Sequence, residues 1–167
     1  MHKPDVIVIG AGMVGAACAH ALANAGQRVL VLDARLGGAT NAGMGHLVVM
    51  DDNPAELAIS QASLTQWHAW APRMAAEAPS TAFTHCGTLW VAADAEEMQE
   101  AEHKRARLQA HGIACELFSA RELATQEPVL RPGLHGALRV GGDSMVYAPN
   151  AAERILGHAA TPIQIEQ

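Results

Sequence analysis

The sequence predicts an α/β fold that opens with a βαβ unit and continues into a region of mixed helices and strands. Three observations carry the prediction: the continuous apolar run DVIVIG at 5–10, the spacing of GAGMVG at 10–15 ahead of an alanine-rich stretch, and a second apolar run, QRVLVLD, at 27–33. Strand, glycine turn, helix and strand in that order are the sequence form of two parallel strands joined by a crossover helix.

The first run has the length of a strand and no alternation, as a parallel strand covered on both faces requires. Residues 6–25 contain no Asp, Glu, Lys or Arg and follow Lys3, a pattern shared with signal peptides and membrane spans. Gly10, Gly12 and Gly15 interrupt that stretch, His20 and Asn24 dilute it, and the second apolar run follows at once. A short strand, a glycine turn and a helix account for the same residues, so no transmembrane segment is expected.

Composition narrows the classes of function. Half of the 167 residues are apolar, which makes the chain globular and long enough for one domain with a core, or for the front part of something larger. Eleven Lys and Arg stand against 17 Asp and Glu, a formal charge of -6, and the single basic cluster is HKRAR at 103–107. Nucleic acid is therefore not an expected partner. Cys18, Cys86 and Cys115 are odd in number, far apart and without a C-x-x-C or a histidine at metal-ligand spacing. They read as reduced thiols of a cytoplasmic protein, with no metal site expected.

The glycines carry the chemistry. In G-x-G-x-x-G, Gly10 permits a tight turn, Gly12 lets the backbone approach a pyrophosphate, and Gly15 lets the helix pack close to the strand. The free N–H groups of a helix starting at Met13 and Val14 then face the phosphates. Gly26 closes the helix, and Asp33 stands at the end of the second strand, 18 residues after Gly15, with Ala34 and Arg35 beside it. A carboxylate there accepts hydrogen bonds from ribose hydroxyls and repels a 2'-phosphate, which disfavours NADP. The motif alone leaves FAD, NAD and a purely structural turn open.

DVIVIGAGMVGAACAHALANAGQRVLVLDA at 5–34, followed by GGATNAGMGH at 37–46, resembles the family of FAD-dependent amine and amino-acid oxidoreductases that includes D-amino-acid dehydrogenases, glycine oxidase and sarcosine oxidase. The similarity continues weakly through GTLWVA at 87–92 and DSMVYAPNAA at 143–152. The resemblance implies a Rossmann-type FAD-binding βαβ unit followed by part of an α+β substrate domain. It also implies that the small-residue loop ending in Ala42 and Gly43 runs beside the FAD pyrophosphate and on along the flavin ring. Thr40 or Asn41 would then bond phosphate or ribose. Gly43 and Gly45 would let main-chain N–H groups approach a flat ring, past Met44. His46 either borders the flavin or is an exposed loop residue.

The implied reaction is oxidation of the C–N bond of a small amino or imino acid. Hydride transfer to a flavin needs no protein nucleophile, and no Ser/His/Asp or Cys/His arrangement stands out, so no catalytic residue is assigned. Two other readings stay open: an NAD-binding dehydrogenase domain, and a truncated chain or subunit that keeps the nucleotide-binding fold without activity of its own.

The remaining elements follow from caps and periodicity. Asn53, Pro54 and Glu56 start a helix whose stripe of Leu57, Leu64, Trp67 and Met74 runs until Pro72 ends or kinks it, and Trp67 and Trp70 read as packing groups. Asp51 and Asp52 ahead of it serve the helix dipole rather than a metal. GTLWVA is a strand, Asp94 and Glu97 cap a charged helix ending at Gly112 with HKRAR on its solvated face, and CELF at 115–118 is a strand. Ser119 and Glu122 cap a brief helix stopped by Pro128; GALRV and SMVY are strands joined by a turn at Gly141 and Gly142; Asn150 and Glu153 cap the last helix before a strand in TPIQIEQ. The expected domains are an FAD-binding part over 1–80, a partial substrate domain over 81–148, and a return to the first over 149–167. By the resemblance, a second flavin-contacting segment and the Arg and Tyr groups that hold a substrate carboxylate lie in a further half or a partner subunit.

Overall fold

A computed structural model describes residues 3–49, 53–77 and 79–167 of the chain. Two compact units emerge, the first comprising Met1–His46, Trp70–Phe83 and Met145–Gln167, the second Leu47–Ala69 and Thr84–Ser144. Asp51 and Asp52 fall outside the described residues.

The first unit begins with β1 (Val6–Ile9), α1 (Met13–Asn24) and β2 (Val29–Leu32). It closes with α6 (Ala148–Gly157) and β8 (Gln164–Glu166). The three strands form a parallel sheet in the order β1-β2-β8, with Val8 beside Val31 and Val31 beside Ile165. Helix α1 buries Ala16, Ala19 and Ala23, residues without side-chain rotamer entropy that let it lie close to its neighbours, and α6 buries Ala151, Ala152, Ile155 and Leu156. The expectation that the first strand is covered on both faces is corrected here. Ile7 and Ile9 are 55% and 86% exposed, because the register sets them beside Leu30 and Leu32 on the face opposite Val8, whose side chain packs toward α1.

The second unit contains an antiparallel sheet in the order β4-β6-β5, from β4 (Thr88–Ala92), β6 (Gly136–Val140) and β5 (Glu116–Ser119). Its core groups Leu57, Ala101, Leu108, Leu138 and Val140. Helix α4 (Ala95–Ala110) starts at Asp94, whose carboxylate accepts the Glu97 N–H at 2.9 Å, and α5 (Ala120–Gln126) starts with the full capping box of Ser119 and Glu122.

In the small-residue loop of the first unit, α2 (Ala39–Ala42) is one helical turn, and β3 (His46–Leu47) pairs with β7 (Ser144–Met145). The strands on either side of Gly141 and Gly142 thus lie in different sheets and do not form a hairpin. Helix α3 (Pro54–Glu77) begins where expected, with the Asn53 side chain accepting the N–H groups of Ala55 and Glu56.

Two local expectations are corrected and one is narrowed. Helix α3 continues through Pro72, which removes the reading that it ends there: the ring removes one N–H, while Leu64 and Trp67 anchor the preceding turns and Arg154 holds Glu77 beyond. The last helix takes Tyr147 as its N-cap with Pro149 in the first turn, and Asn150 instead donates to the Ser80 carbonyl at 2.9 Å. Lys104 of HKRAR is not on a solvated face. It is buried, its ammonium 4.7 Å from the centre of the Trp90 ring, and desolvation holds its pKa below the usual lysine value. No helix among the described residues is long and apolar enough to cross a membrane.

Candidate dinucleotide-binding site

The carboxyl ends of β1 and β2 meet the start of α1 in the first unit. Gly10 leaves β1 at φ +98°, where residues with a side chain are strained, and its N–H donates to the Leu32 carbonyl at 2.7 Å. This bond extends the β1–β2 ladder by one step and sets the position of the turn. A Cβ on Gly15 would lie 1.9 Å from the Gly10 carbonyl oxygen, so only glycine lets the first turn of α1 pass that close. A Cβ on Gly12 would lie 2.9 Å from the Thr40 hydroxyl oxygen.

Asp33 ties the two strand ends together. Its carboxylate accepts the Ala11 N–H at 2.6 Å and the Arg35 N–H at 2.7 Å, while its own N–H donates to the Glu166 carbonyl at 3.0 Å. The Ala11 bond, then the Arg35 bond, hold the carboxyl below the ordinary Asp value, so it is ionised at neutral pH. Arg35 has φ 51°, the local cost of turning the chain so that its N–H reaches Asp33. Ala34 beside it is exposed.

Thr40, from α2, completes the enclosure: its hydroxyl accepts the Met13 N–H at 2.9 Å. The N–H groups of Gly12, Val14 and Gly15 have no acceptor among the described residues. A helix start with unbonded donors, no acidic residue in its first turn and a glycine cradle is suited to an anion such as a pyrophosphate. The ionised Asp33 beside it suits ribose hydroxyls.

The structure thus gathers Gly10, Gly12, Met13, Val14, Gly15, Asp33, Ala34, Arg35 and Thr40 around one end of the sheet. Asn41, Met44 and His46 are exposed, and their side chains make no hydrogen bond among the described residues. Ala42 and Gly43 end α2, the Gly43 N–H donating to the Ala39 carbonyl at 2.8 Å. Gly45 has a neighbour that the sequence did not disclose. At φ +73°, a Cβ on it would lie 1.8 Å from the Val146 carbonyl oxygen, and its own carbonyl accepts the Val146 N–H at 2.9 Å. Chain crossing chain is reason enough for glycine there. A contact across a hundred residues leaves no mark in local spacing.

A family described as DAO, FAD dependent oxidoreductase, matches residues 5–161. The chain belongs to this FAD-dependent oxidoreductase family. Its cofactor class is accordingly FAD, which resolves the choice that the glycine motif left open against NAD. Solved structures agree on the fold of these oxidoreductases. Glycine oxidase from Geobacillus kaustophilus matches with a TM-score of 0.84 at 24% identity, over 100% of this chain and 47% of its own. Iminodiacetate oxidase from Chelativorans sp. BNC1 matches with a TM-score of 0.81 at 22% identity, over 96% of this chain and 46% of its own. L-proline dehydrogenase from P. horikoshii matches with a TM-score of 0.82 at 21% identity, over 98% and 44%. The chain therefore spans under half the length of these solved relatives.

Proposed function

We propose that this chain is the part of an FAD-dependent oxidoreductase that holds the adenosine and pyrophosphate of the cofactor, in an enzyme oxidising the C–N bond of a small amino or imino acid. The convergence of Gly12, the start of α1 and Asp33 carries the binding half of this reading. The substrate half rests on the family and on relatives whose names specify glycine, iminodiacetate and L-proline.

The N–H groups of Gly12, Val14 and Gly15 and the positive end of α1 bind the pyrophosphate, with Thr40 beside them. Asp33, kept ionised by Ala11 and Arg35, accepts from the ribose and discriminates against a 2'-phosphate. Gly10 and Met13 shape the turn, while Ala34 and Arg35 border the ribose. Asn41, Ala42, Gly43, Met44, Gly45 and His46 carry the chain on from the pyrophosphate toward the ring, where bare backbone and the exposed Met44 supply contact. FAD, when bound, would supply a two-electron acceptor for the hydride of the substrate α-carbon, the nitrogen losing a proton to leave an imine that water would hydrolyse to an oxo compound and an amine or ammonia. The residues that grip the substrate carboxylate belong to a further segment or a partner subunit.

The test is an absorbance scan of the purified chain after FAD is added and excess removed, with circular dichroism to confirm folding. Retained flavin bands in the parent chain, and their loss in a folded Gly12→Val variant, are the expected outcome. Flavin retained by the folded variant would overturn the assignment of the glycine turn.

A further inference from the structure

The opposite end of α1 borders a cavity that the dinucleotide reading does not use. It measures about 360 Å³, lies within the first unit, and is lined by His20, Trp70, Arg73, Arg154, Ile155 and His158. Its chemistry is lopsided. Arg73 and Arg154 face the single carboxylate of Glu77, which accepts from Arg154 at 2.6 Å and lies 3.0 Å from His158 and 3.7 Å from Arg73. Two guanidinium groups on one carboxylate leave a net positive charge before either histidine is counted. The Nε of Arg154 is buried and has no hydrogen-bond partner among the described residues, a donor that costs free energy unless something accepts from it.

Cations near helix C-termini also complement the helix dipole, and that alone would place Arg and His here. The end of α1 has little residual demand of this kind: its last carbonyls, those of Ala21, Leu22 and Ala23, are already bonded by the N–H groups of Ala25, Gln27 and Gly26. The walls add a second feature. Trp70, edge-on to His20 with ring centres 5.5 Å apart, and Ile155 provide apolar surface beside the cationic groups.

We propose that this cavity binds a small carboxylate with an apolar or aromatic body, the carboxylate bridging Arg73 and Arg154 and the body resting between Trp70 and Ile155. A guanidinium pair matches a carboxylate in charge and hydrogen-bond geometry, and the volume accommodates a body of about one aromatic ring. The inference stands on side chains remote in sequence from the glycine turn, and it survives or fails independently of FAD binding.

The test is titration of the isotope-labelled chain with phenylacetate, phenylacetamide and inorganic phosphate, followed by NMR through the Trp70 indole N–H and by calorimetry. Saturable phenylacetate binding that shifts the Trp70 signal, with phenylacetamide at least about tenfold weaker, is expected. Arg73→Gln, at an exposed position with only a long ion pair to lose among the described residues, should weaken phenylacetate about tenfold while leaving the fold and bound flavin unchanged. Equal binding of the amide, unaltered binding in Arg73→Gln, or response to phosphate alone would each overturn the proposal, as would no phenylacetate binding at all.

Discussion

Two aspartates, one in each unit, accept backbone N–H groups across long stretches of chain, and the protein pushes them in opposite directions. Asp33 takes the amides of Ala11 and Arg35 at the water-accessible end of β2 and is drawn below the usual carboxylate range. Asp143 takes the Val49 N–H at 3.1 Å and the Thr88 hydroxyl, but it is 2% exposed, and burial pushes it above that range. Similar donors produce opposite results because solvation differs: water lets Asp33 keep its charge, whereas Asp143 has lost water on every side. The first keeps its charge at the open end of a strand, and the second closes a turn.

Breaking the buried member should have the largest effect. Asp143→Ala removes the acceptor for Val49 and Thr88 at once and leaves a half-buried backbone donor unbonded, so the expected loss is about 2 to 3 kcal/mol of stability, measured by urea denaturation. Its own carbonyl, which accepts the Gly87 N–H at 2.9 Å, is untouched, so the turn should weaken rather than vanish. A loss no greater than that of an ordinary surface substitution would mean that Asp143 is not the tie described here.

Gly45→Ala sharpens the contrast between ligand-facing and chain-facing positions. The added Cβ meets the Val146 carbonyl at a φ of +73°, and the expected cost is about 2 kcal/mol, seen as a lowered melting temperature with or without FAD. Equal destabilisation of the apo and flavin-loaded forms marks a structural glycine. A change confined to flavin affinity would make the cofactor, rather than Val146, the reason for glycine at position 45.

Asp33→Ala tests the exposed member. FAD binding should weaken about tenfold, the worth of a charge-assisted hydrogen bond, while NADP-type ligands lose the repulsion that excludes them. Folding should persist, since Gly10 still bonds Leu32 and the Asp33 backbone N–H still bonds Glu166. Equilibrium dialysis against FAD checks it; unchanged affinity would remove Asp33 from the site.

The difference between these residues also governs what sequence discloses. The setting of Asp33 is legible because it is local, a strand, a glycine turn, a helix and a carboxylate 18 residues beyond Gly15, whereas its bond to Ala11, 22 residues away, is not. The caps at Asn53, Asp94 and Ser119 are legible for the same reason, each acting on amides within three residues. Asp143 carries no such mark, because its partner Val49 lies 94 residues away. Gly45 against Val146, Thr40 against Met13 and Lys104 over Trp90 are likewise tertiary facts. Helix α3 beyond Pro72 shows the reverse case, a strong local signal overridden by a well-anchored helix.

The smallest effect is the most direct test of the opposition. A carboxyl whose pKa is raised on folding keeps its proton longer in the folded chain than in the unfolded one. Stability should therefore fall as pH rises from about 4, the ordinary Asp value, through the raised value of Asp143, and stay lower above it. Asp33 has the opposite sign: its contribution is present above the ordinary value and is lost as pH falls through its lowered one. Asp143→Asn keeps an oxygen to accept from Val49 but cannot titrate. Urea midpoints between pH 4 and pH 7 should then decline less steeply in the variant than in the parent, with His68 and His85, which face Asp143, common to both. Taking the difference between the two curves removes what is common to both and leaves the part coupled to Asp143. A parallel pair of curves would mean that burial does not hold the Asp143 proton, and the contrast with Asp33 would then rest on location alone.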